Sequence, residues 1–153
     1  MKNEMINVIR GEERHLSGIA ELERLCFANP WTEDGLLMLT SDNGLAAVIE
    51  EDGDVLAYGG VLFAADEAEI TDVATCPDRR RCGYGRAIME WLISESISRG
   101  AVRMSLEVRA SNEAAIELYK SLGFEIMGKR PRFYRNPTED AYVMLLMLVD
   151  EQG

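Results

Sequence analysis

Arg79-Arg80-Arg81-Cys82-Gly83-Tyr84-Gly85-Arg86-Ala87 is a basic, glycine-rich stretch in a chain whose formal net charge is −11. It lies between a segment that reads as a strand ending near Thr75 and one that reads as a helix running to about Arg99. The first turn of a helix has unpaired N–H groups and partial positive charge, so it attracts anions. Two glycines let an anion come close to that backbone, and the flanking arginines offer charge-assisted hydrogen bonds. The stretch predicts a pyrophosphate cradle at a strand-to-helix turn.

Upstream of the cradle, residues 5–10 alternate loosely and read as a first strand, and residues 12–28 carry an apolar stripe of helical period until Asn29-Pro30 interrupts it. A short second helix follows, with Thr32 as its cap and Glu33 and Asp34 in its first turn. Residues 45–50 and 55–64 are two strands about the turn Asp52-Gly53-Asp54, and residues 69–75 form a third, stopped by Pro77.

Downstream, a helix over residues 83–99 ends at Gly100. Val102, Met104, Leu106 and Val108 then alternate with Arg103, Ser105, Glu107 and Arg109, a strand with one polar side. Ser111 or Asn112 caps a helix that runs to Ser121 and stops at Gly123, and residues 124–134 and 141–149 read as two closing strands. The order predicts a mixed α/β sheet, with residues 1–153 as one domain.

Bulk properties narrow the partners. The chain has 153 residues, of which 47% are hydrophobic and 28% charged, enough for one substantial core. No apolar run approaches the roughly 18 residues a membrane helix needs. The start, Met1-Lys2-Asn3-Glu4-Met5, lacks the pattern of a signal peptide. Cys26, Cys76 and Cys82 have no metal-ligand spacing and read as reduced thiols of a cytoplasmic protein without a metal. The acidic balance argues against nucleic acid, which basic surfaces bind, and suits a cationic substrate. The residues leave the oligomeric state open; a monomer fits them.

Two familiar phosphate motifs fail on the cradle. A Walker loop needs Gly-Lys-Ser/Thr, whereas Gly83 leads to Tyr84-Gly85-Arg86-Ala87-Ile88. A dinucleotide fingerprint needs a small third residue where this chain has Ile88. The remaining pattern, Arg80-x-x-Gly83-x-Gly85, resembles the coenzyme A pyrophosphate loop of the GNAT N-acetyltransferases. Leu106-Glu107-Val108-Arg109-Ala110-Ser111-Asn112, then Ala115-Ile116-x-Leu118-Tyr119 and Leu122-Gly123-Phe124, resembles the second half of that family's cofactor site. With Pro30-Trp31-Thr32 and Glu139-Asp140-Ala141, the set is similar to the bacterial RimI-type ribosomal-protein-alanine N-acetyltransferases, over residues 31–147. Cys82 departs from the pattern, because such relatives usually carry Arg or Gln there. Its backbone N–H can still serve a phosphate, and a thiol at a helix N-terminus can also turn reactive.

The resemblance implies a GNAT fold, with a mixed, mostly antiparallel sheet, splayed parallel central strands and about four flanking helices. It implies acetyl-CoA as cosubstrate, held by Val73, Ala74, Thr75, Arg80, Arg81, Cys82, Gly83, Tyr84, Gly85, Arg86 and Asn112. The backbone of residues 73–75 would pair with pantetheine, and the Val73 N–H would polarise the thioester carbonyl. Glu107 would be the general base, acting through water, and Tyr119 the general acid at the coenzyme sulfur. Spacing alone leaves plainer roles open. Asn112 is a good helix cap, Tyr119 lies two turns on as a half-buried aromatic, and Glu107 has Arg109 as a same-face ion partner.

For the acceptor, the resemblance implies Trp31 and Tyr134 beside a peptide, although both could equally be aromatics closing a small core. An α-amino group has a pKa of about 7.7–8.0, within reach of a modestly raised carboxylate, whereas lysine at about 10.4 needs more help. The implied function is therefore acetyl transfer to the N-terminal amine of a protein, an alanine-starting ribosomal protein above all. Acetylation of a lysine or small amine, and a non-catalytic acyl-CoA-binding regulator, are the alternatives.

Overall fold

The computed structural model describes residues 6–149. Along the chain run β1 (Ile9–Arg10), α1 (Leu16–Cys26), α2 (Glu33–Leu36), β2 (Gly44–Glu51), β3 (Asp54–Ala64), β4 (Glu67–Thr75), α3 (Tyr84–Ser98), β5 (Arg103–Arg109), α4 (Glu113–Ser121), β6 (Glu125–Tyr134) and β7 (Glu139–Met147). The strands form one seven-stranded sheet in the order β1-β2-β3-β4-β5-β7-β6. Only β4 and β5 are parallel, and they pair over just Glu67–Glu69 and Arg103–Ser105 before diverging.

Both faces of the sheet are covered at β2, which is why it is apolar at every position from Leu45 to Ile49. Leu45, Ala47 and Ile49 pack toward Ile88, Met89 and Leu92 of α3 and Ile116 and Tyr119 of α4. Ala46 and Val48 face the other way, toward Leu16, Ile19 and Leu22 of α1 and Leu36 of α2. Gly59 lets α3 lie this close to β3, since a Cβ there would stand 2.5 Å from Ile88 Cγ2.

The β2–β3 turn is the expected hairpin, with Asp52 at φ 52° and Gly53 at φ 87°, the double positive φ that suits the twist of two antiparallel strands. A β-bulge follows in β4: Thr71 and Asp72 together oppose the single residue Gly60 of β3.

Several sequence-based boundaries shift. Within residues 5–10 only Ile9 and Arg10 pair in the sheet, with Val48 and Ala47; Met5 lies outside the described residues. The helix expected over residues 12–28 is a 3₁₀ turn (Glu13–His15) followed by α1, which ends when Phe27 turns extended ahead of Pro30. The last strand begins at Glu139 rather than at residue 141. Among the described residues no helix is long and apolar enough to cross a membrane.

Candidate active site

Where β4 and β5 part, a cavity of about 480 Å³ opens at the centre of the sheet. Asp72, Val73, Glu107, Asn112, Tyr119 and Tyr134 all line it. Residues 70–75 of β4 pair with β3 on one edge and, among the described residues, with no strand on the other. Val73, Ala74 and Thr75 thus present an edge that no described strand covers, the Thr75 carbonyl accepting, among the described residues, only from Cys26 Sγ at 3.5 Å, and an extended ligand can add there. The pantetheine arm that the sequence resemblance implies fits such an edge.

The cradle stands at the N-terminus of α3. Gly83 caps the helix at φ 83°, a left-handed conformation that glycine adopts without penalty, and Arg81 ahead of it is also left-handed at φ 65°. The first helical bond is Ala87 N–H to Gly83 carbonyl, at 3.1 Å, so the N–H groups of residues 83–86 have no partner inside the helix. Gly85 has a packing role as well, because a Cβ there would stand 3.4 Å from Leu118 Cδ2 of α4. Arg81 and Cys82 are exposed, Tyr84 is half-buried, and Arg80 reaches toward Cys26 Sγ at 3.8 Å. Arg86 instead donates to Ser121 Oγ at 2.6 Å, tying α3 to α4. Exposed arginines over free N–H groups suit a phosphate ligand.

Asn112 is the cap of α4; its Oδ1 accepts from Ala115 N–H at 3.2 Å. It does this while lining the cavity, so the capping and ligand-facing readings describe one residue. Tyr119, two turns on, is 8% exposed and packs against Phe124 with ring centroids 5.8 Å apart. Burial pushes its hydroxyl pKa well above the usual tyrosine range, so it stays protonated and able to give a proton. Among the described residues no hydrogen bond satisfies that hydroxyl.

Glu107 is half-buried on β5, on the face opposite its neighbours Leu106 and Val108, which pack toward α3 and α4. Burial raises its pKa, the Arg130 cation pulls it back, and Glu69 adds to the rise. The expected ion pair with Arg109 is not formed. Glu107 pairs with Arg130 of β6 at 3.2 Å. Arg109 turns to Glu139 at 3.3 Å and donates to the carbonyls of Pro137 and Arg135 at 3.0 and 2.9 Å. The loop between β6 and β7 and the first residue of β7 together offer three acceptors to a guanidinium, more than one shared carboxylate can.

Tyr134 lies at the cavity with the Arg109 guanidinium 4.5 Å from its ring centroid, and burial pushes its pKa up to about 12. Trp31 is placed differently. Its ring packs with the core under α1 and α2 and closes over Gly35, and it does not line the cavity; Phe27, Ala28 and Asn29 do. Its backbone N–H donates to Glu23 Oε1 at 3.0 Å. Sequence reasoning missed Glu23, Tyr58 and Asp72, a buried polar group behind the cavity. Glu23 falls within the helical stripe, and the charge there was the available signal.

A strand edge, a half-buried carboxylate and a protonated phenol meet around one cavity, and a helix start with free N–H groups and exposed arginines stands outside its lining. Residues 16–124 match the acetyltransferase (GNAT) family, and the chain belongs to it. It is 37% identical over 139 residues to the [ribosomal protein bS18]-alanine N-acetyltransferase of Escherichia coli K12, spanning 88% of this chain and 93% of that one. The crystal structure of the ribosomal-protein-S18-alanine N-acetyltransferase from Escherichia coli superposes with TM-score 0.87 at 34% identity, covering 97% of this chain and 99% of that one. A putative acetyltransferase from Salmonella typhimurium, solved with its cofactor acetyl-CoA, shares the fold at TM-score 0.79 and 20% identity, covering 97% and 96% of the two chains. The protein is an acyltransferase.

Proposed function

We propose that this protein transfers the acetyl group of acetyl-CoA to the N-terminal amine of a protein, most specifically the alanine of a ribosomal protein such as bS18. The carrying observation is that Glu107 and Tyr119 line one cavity from opposite sides of the sheet. Glu107 belongs to the α1/α2 face, and Tyr119 comes from α4 on the other. A base on the acceptor side and an acid on the leaving-group side suit direct transfer.

The residues divide the work. The α3 N-terminus with Arg80, Arg81, Cys82, Gly83, Tyr84, Gly85 and Arg86 holds the pyrophosphate. The edge of residues 73–75 and Asn112 hold the pantetheine arm, and the Val73 N–H faces the thioester carbonyl. Glu107 takes a proton from the amine, whose nitrogen forms the new C–N bond. As the C–S bond breaks, Tyr119 gives its proton to the sulfur. Orientation of both substrates supplies much of the rate, and no covalent acetyl-enzyme is required. Tyr134 stands at the acceptor side, and Trp31 supports that side from the core instead of touching the peptide. The net charge of −11 favours a basic protein substrate.

The test is a panel of alanine-starting peptides, lysine peptides and small amines, each with acetyl-CoA. Turnover of the free alanine N-terminus above the others is expected. No turnover on any free N-terminus rejects this reading.

A further inference from the structure

Two carboxyl groups at the back of the cavity take no part in the proton transfers above. Asp72 lines the cavity, and Glu23, wholly buried on α1, faces its carboxyl closely enough to raise its pKa. Glu23 is also held by the Tyr58 hydroxyl of β3, which donates to Oε2, and by the Trp31 N–H on Oε1.

The bulge in β4 puts Asp72 there. Thr71 Oγ1 lies against the Gly60 position and Asp72 meets Glu23, so both side chains lie on the α1/α2 face. Glu107 belongs to the same face, across the gap where β4 and β5 diverge. Asp72 and Glu107 therefore line the cavity from the same face, and Tyr119, whose hydroxyl has no hydrogen bond among the described residues, lines it from the other.

We propose that Asp72, braced by Glu23, binds the acceptor's amino group as the ammonium ion and fixes it opposite Glu107. The inference rests on the amine-acetylating reading and adds the residue that recognises the amine. Two carboxyls in contact need one proton between them, so the pair carries a single negative charge. Burial and the Glu23 carboxyl push Asp72 far above its ordinary range, so in the free protein it holds the shared proton. An ammonium ion beside Asp72 draws the pair's negative charge onto the Asp72 carboxyl. Glu107 removes the ammonium proton and passes it to water, then takes the second N–H proton as the C–N bond forms while Tyr119 protonates the sulfur. The amide formed is neutral, so the product loses its ionic contact with Asp72. Glu23 is a positioning residue, tying the amine subsite to the loop that carries Trp31.

Asp72→Asn keeps the side chain's size while removing the carboxylate. With saturating acetyl-CoA, KM for an alanine-starting peptide rises at least tenfold, kcat falls less than threefold, and acetyl-CoA affinity stays within twofold. As inhibitors of wild type, a non-reactive peptide bearing an amine binds at least tenfold better than its desamino counterpart, and the variant loses that preference. An unchanged peptide KM, or equal inhibition of wild type by the two analogues, overturns the proposal. Asp72→Ser provides the same readouts if the asparagine variant does not fold. If wild type acetylates lysine or a small amine but no N-terminus, the N-terminal reading fails and the KM comparison on that amine still judges Asp72. Wild type that accepts no primary amine rejects both.

Discussion

The Arg130 guanidinium lies 3.2 Å from the Glu107 carboxylate although β7 runs between their strands. Glu107 is in register with Val143 and Arg130 with Ala141, so the bridge crosses β7 diagonally. Burial favours the neutral carboxyl and the cation favours the charged one, and burial is the larger effect. The base is therefore held above the ordinary glutamate range but restrained by a residue two strands away.

Arg130→Met should move the acid limb of the kcat/KM–pH profile to higher pH. Loss of a cation that stabilises the carboxylate raises the pKa further, and the base works only when deprotonated. A profile unchanged from wild type would separate Arg130 from the chemistry. Glu107→Gln should lower kcat/KM by about 10²-fold or more at every pH.

Tyr119→Phe removes one hydroxyl at the cavity for which the described residues offer no hydrogen bond, so folding should be little affected. If the phenol protonates the leaving sulfur, kcat drops by about 10²-fold or more while acetyl-CoA affinity stays near wild type. Steady-state kinetics with calorimetric titration of acetyl-CoA separates the two. Full turnover in the variant removes Tyr119 from the mechanism.

Gly83→Val forces a β-branched residue into φ 83°, at a cost of about 1–2 kcal/mol. Relief of that strain would redirect the free N–H groups at the start of α3, so acetyl-CoA binding should weaken. Arg80→Ala should weaken it by losing charge while leaving the loop's backbone intact. Retained affinity in both variants would move the pyrophosphate elsewhere.

Asp72 also marks the stability of the protein with pH. Its folded-state pKa is raised above the unfolded one, so its stabilising contribution is complete below the unfolded carboxyl range. That contribution is lost as pH rises through the folded value. Asp72→Asn should therefore unfold at a higher temperature than wild type at neutral and alkaline pH, the difference shrinking toward acid. Scanning calorimetry across that range checks it, and a difference that does not vary with pH counts against the linkage.

What could be read from the sequence was local. The strand-to-helix turn at Gly83, Asn112 and Tyr119 on one helix, and the Asp52-Gly53 turn depend on residues within a few positions of each other. Glu107 was placed correctly on the polar side of its strand, yet its partner was not, because Arg130 reaches it through the pairing of three strands. The Glu23–Asp72 contact needs a bulge opposite Gly60, and a bulge inserts one residue without any fixed composition. Trp31 was visible as an aromatic next to a proline, but nothing in the sequence says that its ring turns inward over Gly35.

The early end of pairing between β4 and β5 leaves the sheet as two plates, β1–β4 and β5–β7, stitched by a three-residue seam. A ligand lying along residues 73–75 acts as mortar in that seam. Thermal unfolding should then become more cooperative as acetyl-CoA is added. The amides of residues 73–75 should gain more hydrogen-exchange protection than those of β2, which is already enclosed on both faces.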